Sequence, residues 1–189
     1  MNKSQPKAWN LIRSEQGPDL IIFQARFDWL ENPRNAKSMK AVILEVPDWV
    51  NIVAITPAKK VIVVHQYRFG TKKISTEIPA GIIEPDETSQ QAAIRELREE
   101  TGYTCNDWEY LGWVEPNSAF QNNRGHVWLA NNVLKTHSLR LDEGEDISVS
   151  AMSLEELQQE MNEGRIRNSL SVLALSWVFG MRREERKET

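Results

Sequence analysis

Three glutamates, Glu96, Glu99 and Glu100, sit in "AAIRELREETG" at spacings that a helix would gather: Glu96 and Glu100 are four apart, and Glu99 is three from Glu96. Arg95 and Glu99 fall on the adjacent stripe. Like charges at such spacings cost an isolated helix about 0.2–0.5 kcal/mol per pair. A hard divalent cation would cancel that repulsion, because Mg²⁺ and Mn²⁺ prefer carboxylate, carbonyl and water oxygens. The chemistry such a cluster supports is metal-assisted attack of water on phosphorus, with a carboxylate taking the proton. On spacing alone, the commoner outcome of an Arg/Glu-rich helix is a solvated, salt-bridged face.

The wider pattern is more specific. Gly81, Glu87, Arg95, Glu96, Leu97, Glu99, Glu100 and Gly102 stand in a spacing that resembles the signature of the Nudix hydrolases, with Tyr103 where a small aliphatic residue is usual. The resemblance implies hydrolysis of a diphosphate linked to another group, with Mg²⁺ as cofactor and Mn²⁺ able to substitute. Carried over by position, Glu96 and Glu100 are metal ligands, and Glu99 is a further ligand or a hydrogen-bonded neighbour. Arg95 orients the carboxylates with Glu87 as its ion-pair partner, Gly81 allows the tight turn into the helix, and the Ala80 carbonyl adds a ligand.

The flanks "HQYRFGTKKISTEIPAG" and "LGWVEPNSAFQNNRGHVWLA" resemble the ADP-ribose pyrophosphatase and nucleoside diphosphate sugar hydrolase branch, and the similarity spans roughly residues 40–178. Arg68 and Glu77 match that branch, and a guanidinium offers a planar fork of donors to a phosphate. Pro116 follows the signature as in the branch, although Asn117, Ser118 and Ala119 replace its usual Ser-Pro-Gly. The implied substrate is a nucleotide sugar such as ADP-ribose or GDP-mannose. By the same resemblance, the acidic loop "LDEGEDI" supplies a general base or a further metal ligand: Glu143 is preferred as base and Glu145 as ligand. The N-terminal strands would build a homodimer and part of the nucleoside pocket, with Phe27 and Trp29 stacking on a base. Two alternatives stand beside this reading: hydrolysis at an RNA 5′ end, and a sensor that binds a nucleotide sugar without cleaving it.

These residues need a scaffold to bring them together. Apolar and β-branched runs predict strands on either side of an "EQGPD" turn in residues 8–29, then at "MKAVILEV", "WVNIVAIT", "KKVIVVHQYRF", "WEYLGWVEP", "GHVWLANNV" and "ISVSAM". "GTKK" and "STEIPAG" read as turn-rich connections. The carboxylate helix is expected to start at Asp86 or Thr88 and stop at Gly102. Ser153 and Glu156 form a capping-box spacing for a second helix, and "NSLSVLALSWVF" is a third.

Strands with interspersed and closing helices predict an α+β fold, a mixed sheet packed by helices. The family resemblance makes that an α/β/α sandwich preceded by a β-hairpin subdomain. The expected organisation is an N-terminal element at 1–45, the hydrolase domain at 46–180 and a charged tail at 181–189.

The chain has 189 residues, enough for one domain with a sizeable core. Its net charge of -4 argues against nucleic acid as partner, since phosphate neutralisation draws on Lys and Arg. The single cysteine, Cys105, excludes an internal disulfide framework. With no signal-like N-terminus and no long apolar run, the expectation is a soluble cytoplasmic protein without a membrane partner.

Overall fold

The computed structural model describes residues 5–181. The tail expected at 181–189 therefore lies outside the described residues from position 182 onward. The chain divides into two compact units: residues up to Pro47 together with Glu115–Asn123, and Asp48–Val114 together with Arg124 onward.

In the first unit, β1 (Asn10–Asp19), β2 (Gln24–Glu31) and β3 (Ser38–Glu45) form an antiparallel sheet in the order β1-β2-β3. The hairpin turn is not at "EQGPD". Strand β1 runs through that segment, and the chain reverses at residues 20–23, where Asp19 Oδ1 accepts the Ile21 N–H at 2.8 Å and Ile21 takes φ 74. A register shift between Gln16 and Asp19 absorbs Gly17 and Pro18, residues that normally break a ladder but are tolerated at a bulge. Gly17 is also where the ring of Phe27 passes, since an added Cβ would stand 3.0 Å from it.

The second unit contains β4 (Trp49–Ile55), β5 (Val61–Arg68), β6 (Lys73–Glu77), β7 (Ala80–Ile82), α1 (Ser89–Thr101), β8 (Tyr103–Thr104), β9 (Asp107–Val114), β10 (Gly125–Asn131), β11 (Leu134–Lys135), β12 (Ile147–Met152), α2 (Leu154–Asn162) and α3 (Ser169–Phe179). Its main sheet runs β12-β5-β4-β10-β9, parallel between β4 and β10 and antiparallel elsewhere; β8 and β11 make a separate short pair. Successive side chains of a strand point to opposite faces. Val53, Val61 and Val63 accordingly pack with Leu157, Ala174 and Leu175 of α2 and α3, while Ile52, Ala54 and Ile62 pack with Ala92, Ala93 and Leu97 of α1. Helices thus cover both faces, which is why β4 and β5 carry near-continuous apolar runs.

The expected connection "STEIPAG" is strand. β4 and β5 pair directly only at Ile55↔Val61; beyond it β6 pairs with β5 and β7 with β4. Turn-type residues are accommodated because these strands are short and separated by Ile78 and Pro79. Of the strands at this split, β7 lies beside the second half of α1, where Arg95, Glu96 and Glu100 meet it.

Candidate functional site

Helix α1 begins at Thr88, whose side chain accepts the Gln91 N–H while Gln91 reaches back to the Thr88 N–H. Asp86, the other expected cap, instead adopts φ 67 in the preceding turn. Gly102 ends the helix at φ 73, donating to the Arg98 carbonyl at 2.9 Å. Leu97, fully buried, contributes about 1.5–3 kcal/mol by leaving water and fixes the rotation of the helix. That rotation turns Glu96, Glu99 and Glu100 toward β7.

Two backbone features of β7 receive the carboxylates. The Ala80 N–H donates to Glu100 Oε2 at 3.0 Å. At Gly81, a Cβ would overlap the Glu96 carboxyl group, so glycine is the residue that lets this side chain lie across the strand. Arg95 ties the edge together: it donates from Nε and Nη2 to the two Glu87 oxygens at 3.0 and 2.9 Å, from Nη2 to the Ile82 carbonyl at 2.9 Å, and from Nη1 to Glu96 Oε1 at 2.6 Å. Its Nη1 also stands 3.6 Å from Glu99.

The electrostatics are unfavourable to negative charge. Glu100 is 2% exposed, and burial, aided by the charges of Glu96 and Glu145, pushes its carboxyl well above the usual carboxylate range. Burial also raises Glu96, opposed by Arg95 and reinforced by Glu145 and Glu99. These groups line an open cavity of about 430 Å³ with Ala80, Arg68, Glu99 and Glu145. Among the described residues no three carboxyl, imidazole or thiol groups already converge closely enough to share one ion. The donor set is nonetheless all oxygen, with two carboxylates desolvated and mutually repelling, and this composition fits a hard cation.

Of the other expected residues, Glu145 lines the cavity, and its Oε2 accepts the Asp142 N–H at 3.0 Å. Glu143 is exposed and is not among the lining residues. Arg68 and Glu77 are brought together as partners, Nε to Oε1 at 2.9 Å and Nη2 to Oε2 at 2.7 Å, so that most of the fork expected for phosphate is engaged with Glu77. Phe27 and Trp29 lie on β2 in the first unit, where Lys40 Nζ stands 3.8 Å from the Phe27 ring centre and the Arg13 guanidinium 3.5 Å from that of Trp29. Pro116 is half-buried in the Glu115–Asn123 segment of the same unit.

Sequence reasoning missed Arg140 and Gln66, which also line the cavity. Arg140 donates its backbone N–H to the Glu99 carbonyl at 2.9 Å, anchoring the acidic loop to α1. The signal available was Gln66 preceding Arg68 by two on one strand face; nothing local marks Arg140.

The NUDIX domain pattern matches residues 47–172. The chain is similar to the methanol dehydrogenase activator of Bacillus methanolicus, 33% identical over 88% of this chain and 90% of that protein. It is also similar to the ADP-ribose pyrophosphatase of Bacillus subtilis strain 168, 30% identical over 76% of this chain and 78% of that protein. Among solved structures, an ADP compounds hydrolase superposes with a TM-score of 0.80 at 23% identity, covering 92% of this chain and 94% of that one, a likeness of fold.

Proposed function

The chain belongs to the NUDIX domain family as one of its pyrophosphohydrolases, and from that premise we propose that it cleaves the diphosphate of an ADP-ribose-type nucleotide sugar. Water adds across the P–O–P bond, giving a nucleoside monophosphate and a sugar phosphate. The observation that carries this reading is the pair of carboxylates, half-buried Glu96 and buried Glu100, held against Gly81 and Ala80 beside Arg68.

Glu96, Glu100 and the Ala80 carbonyl would hold Mg²⁺, with Glu99 completing the set and Mn²⁺ able to substitute. Such an ion supplies charge neutralisation for the diphosphate and a water acidic enough to attack. Arg95 fixes the carboxylate edge, and Arg68, already oriented by Glu77, presents its remaining guanidinium edge to a phosphate oxygen. Glu145 is the better candidate to accept the proton than Glu143, since it is the loop glutamate that faces the cavity.

The same reading includes a homodimer built by the N-terminal strands and a reducing, cytoplasmic setting for the lone Cys105. The intact carboxylate set favours hydrolysis over passive sensing. The test is a substrate panel with Mg²⁺: ADP-ribose, GDP-mannose and triphosphorylated RNA, scored by product identity. Turnover confined to the RNA, or absent from all, overturns the proposal.

A further inference from the structure

A second cavity, of about 470 Å³, adjoins the other side of Arg68 and has the opposite charge. Its floor comes from the β5–β6 hairpin. Arg68 pairs directly across from Lys73, and the alternation of β6 puts Lys73, Ser75 and Glu77 on one face. Its other wall is the turn between α2 and α3, with Gly164, Arg165 and Arg167.

The lining thus holds four cations and one carboxylate, and the carboxylate, Glu77, is already engaged by Arg68. Arg165 is occupied as well: it donates to both Glu160 oxygens at 2.7 and 2.6 Å and pairs with Glu163. Lys73 and Arg167 remain. Among the described residues neither has a carboxylate partner within ion-pair distance.

Arg167 is also held in place. Its Nε donates to the Gly164 carbonyl, and its guanidinium occupies the space a Cβ at Gly164 would fill. Gly164 has φ +73, a conformation glycine adopts without strain, so the turn both shapes the backbone and seats the guanidinium. This leaves the Nη edge of Arg167 and the Lys73 ammonium as two uncompensated charges in one cavity of a chain whose net charge is -4.

We propose that this cavity binds a phosphate monoester. Such a group carries about −1.5 to −2 charges at pH 7 and offers three acceptor oxygens, which matches an ammonium, a guanidinium edge and the Ser75 hydroxyl. The monoester is either free, as a product or effector, or carried at the far end of a diphosphate substrate that crosses Arg68 from the acidic cavity. The second source rests on the diphosphate reading above; the first does not.

The test measures binding rather than turnover. Full-length protein without added divalent ions is titrated with inorganic phosphate by calorimetry, alongside the double variant Lys73→Gln/Arg167→Gln. Both positions lie on exposed turns or edges, and circular dichroism confirms that the variant is folded. The expected result is saturable binding weakened at least tenfold in the double variant; no binding, or equal binding by both proteins, overturns the proposal.

A second arm separates the sources. In Glu100→Gln protein, ADP-ribose is compared with ADP-ribose bearing a phosphate monoester on its distal ribose. At least tenfold tighter binding of the phosphorylated compound, lost when Lys73→Gln/Arg167→Gln is added, assigns the site to the substrate. Equal affinity for the two, with phosphate binding intact, assigns it to the free monoester. Because the first arm needs no hydrolysis, its failure is distinct from a failure to cleave ADP-ribose.

Discussion

Arg68 and Glu77 lie diagonally on adjacent strands, their backbone partners being Lys73 and Val64, and share two hydrogen bonds, at 2.9 and 2.7 Å, with the glutamate 3% exposed and the arginine side chain 41% exposed. The pair stands where two cavities of opposite charge meet. Removing one partner leaves a buried charge without compensation, which costs about 3–5 kcal/mol when both groups are buried. Half-exposure of Arg68 brings Arg68→Ala down to about 2 kcal/mol. Urea denaturation of Arg68→Ala, Glu77→Gln and the double variant checks this: the double variant should cost less than the sum of the singles. Strict additivity would show that the pair is not coupled.

Gly81→Ala tests the seat of Glu96. The added methyl overlaps the Glu96 carboxyl group, so the side chain must leave β7 while the fold, fixed by Leu97 and the α1 caps, remains. A displacement of about 1 Å in a reacting constellation lowers turnover on the order of 10²-fold. Steady-state kinetics should show that loss in kcat with a native circular dichroism spectrum. Wild-type kcat would show that Glu96 need not lie against Gly81.

Glu100→Gln should stabilise the metal-free protein while disabling it. The glutamate carboxyl is raised by burial and by the charges of Glu96 and Glu145, so at neutral pH its ionised form opposes folding. Glutamine can still accept the Ala80 N–H but carries no charge. Thermal unfolding in EDTA should give a Tm a few degrees above wild type, since about 1 kcal/mol moves Tm by roughly 2–8 °C. A lower Tm would mean that the charge is compensated in the metal-free state.

The first unit has its own pH dependence. Asp28 accepts from Ser14 Oγ at 2.5 Å and from Arg26 at 3.0 and 3.2 Å, and these bonds, the serine's foremost, lower its carboxyl below the usual range. A lowered folded-state value contributes stability above the unfolded value and loses it as pH falls through the folded one. The stability gap between wild type and Asp28→Asn, measured by urea denaturation from pH 7 to pH 2, should therefore be full near neutrality and close below about pH 3.9. A gap that widened on acidification would reverse the assignment.

Much of the second unit was legible because its signals are local. The Thr88 and Ser153 capping boxes, the Gly102 stop and the apolar strand runs each report on a few neighbouring residues. The hairpin of the first unit was misplaced because Gly17-Pro18 has two solutions, a turn or a bulge, and pairing with β2 over ten residues of β1 decides for the bulge. "STEIPAG" looked like a connection because its strands exist only where β4 and β5 separate, a property of the sheet and not of the segment. The carboxylate helix could be read from spacing. Which of Glu143 and Glu145 faces the cavity could not, since it depends on the Asp142–Glu145 turn and on Arg140 anchoring the loop to Glu99.

Hydrolysis of ADP-ribose in the presence of Mg²⁺ by wild type and Glu100→Gln, with products identified by mass and ³¹P NMR, tests the central claim most directly. The account predicts AMP and ribose 5-phosphate from wild type and a turnover at least ~10²-fold lower from the variant. Equal turnover by the two proteins, or products from cleavage anywhere but the diphosphate, would contradict it.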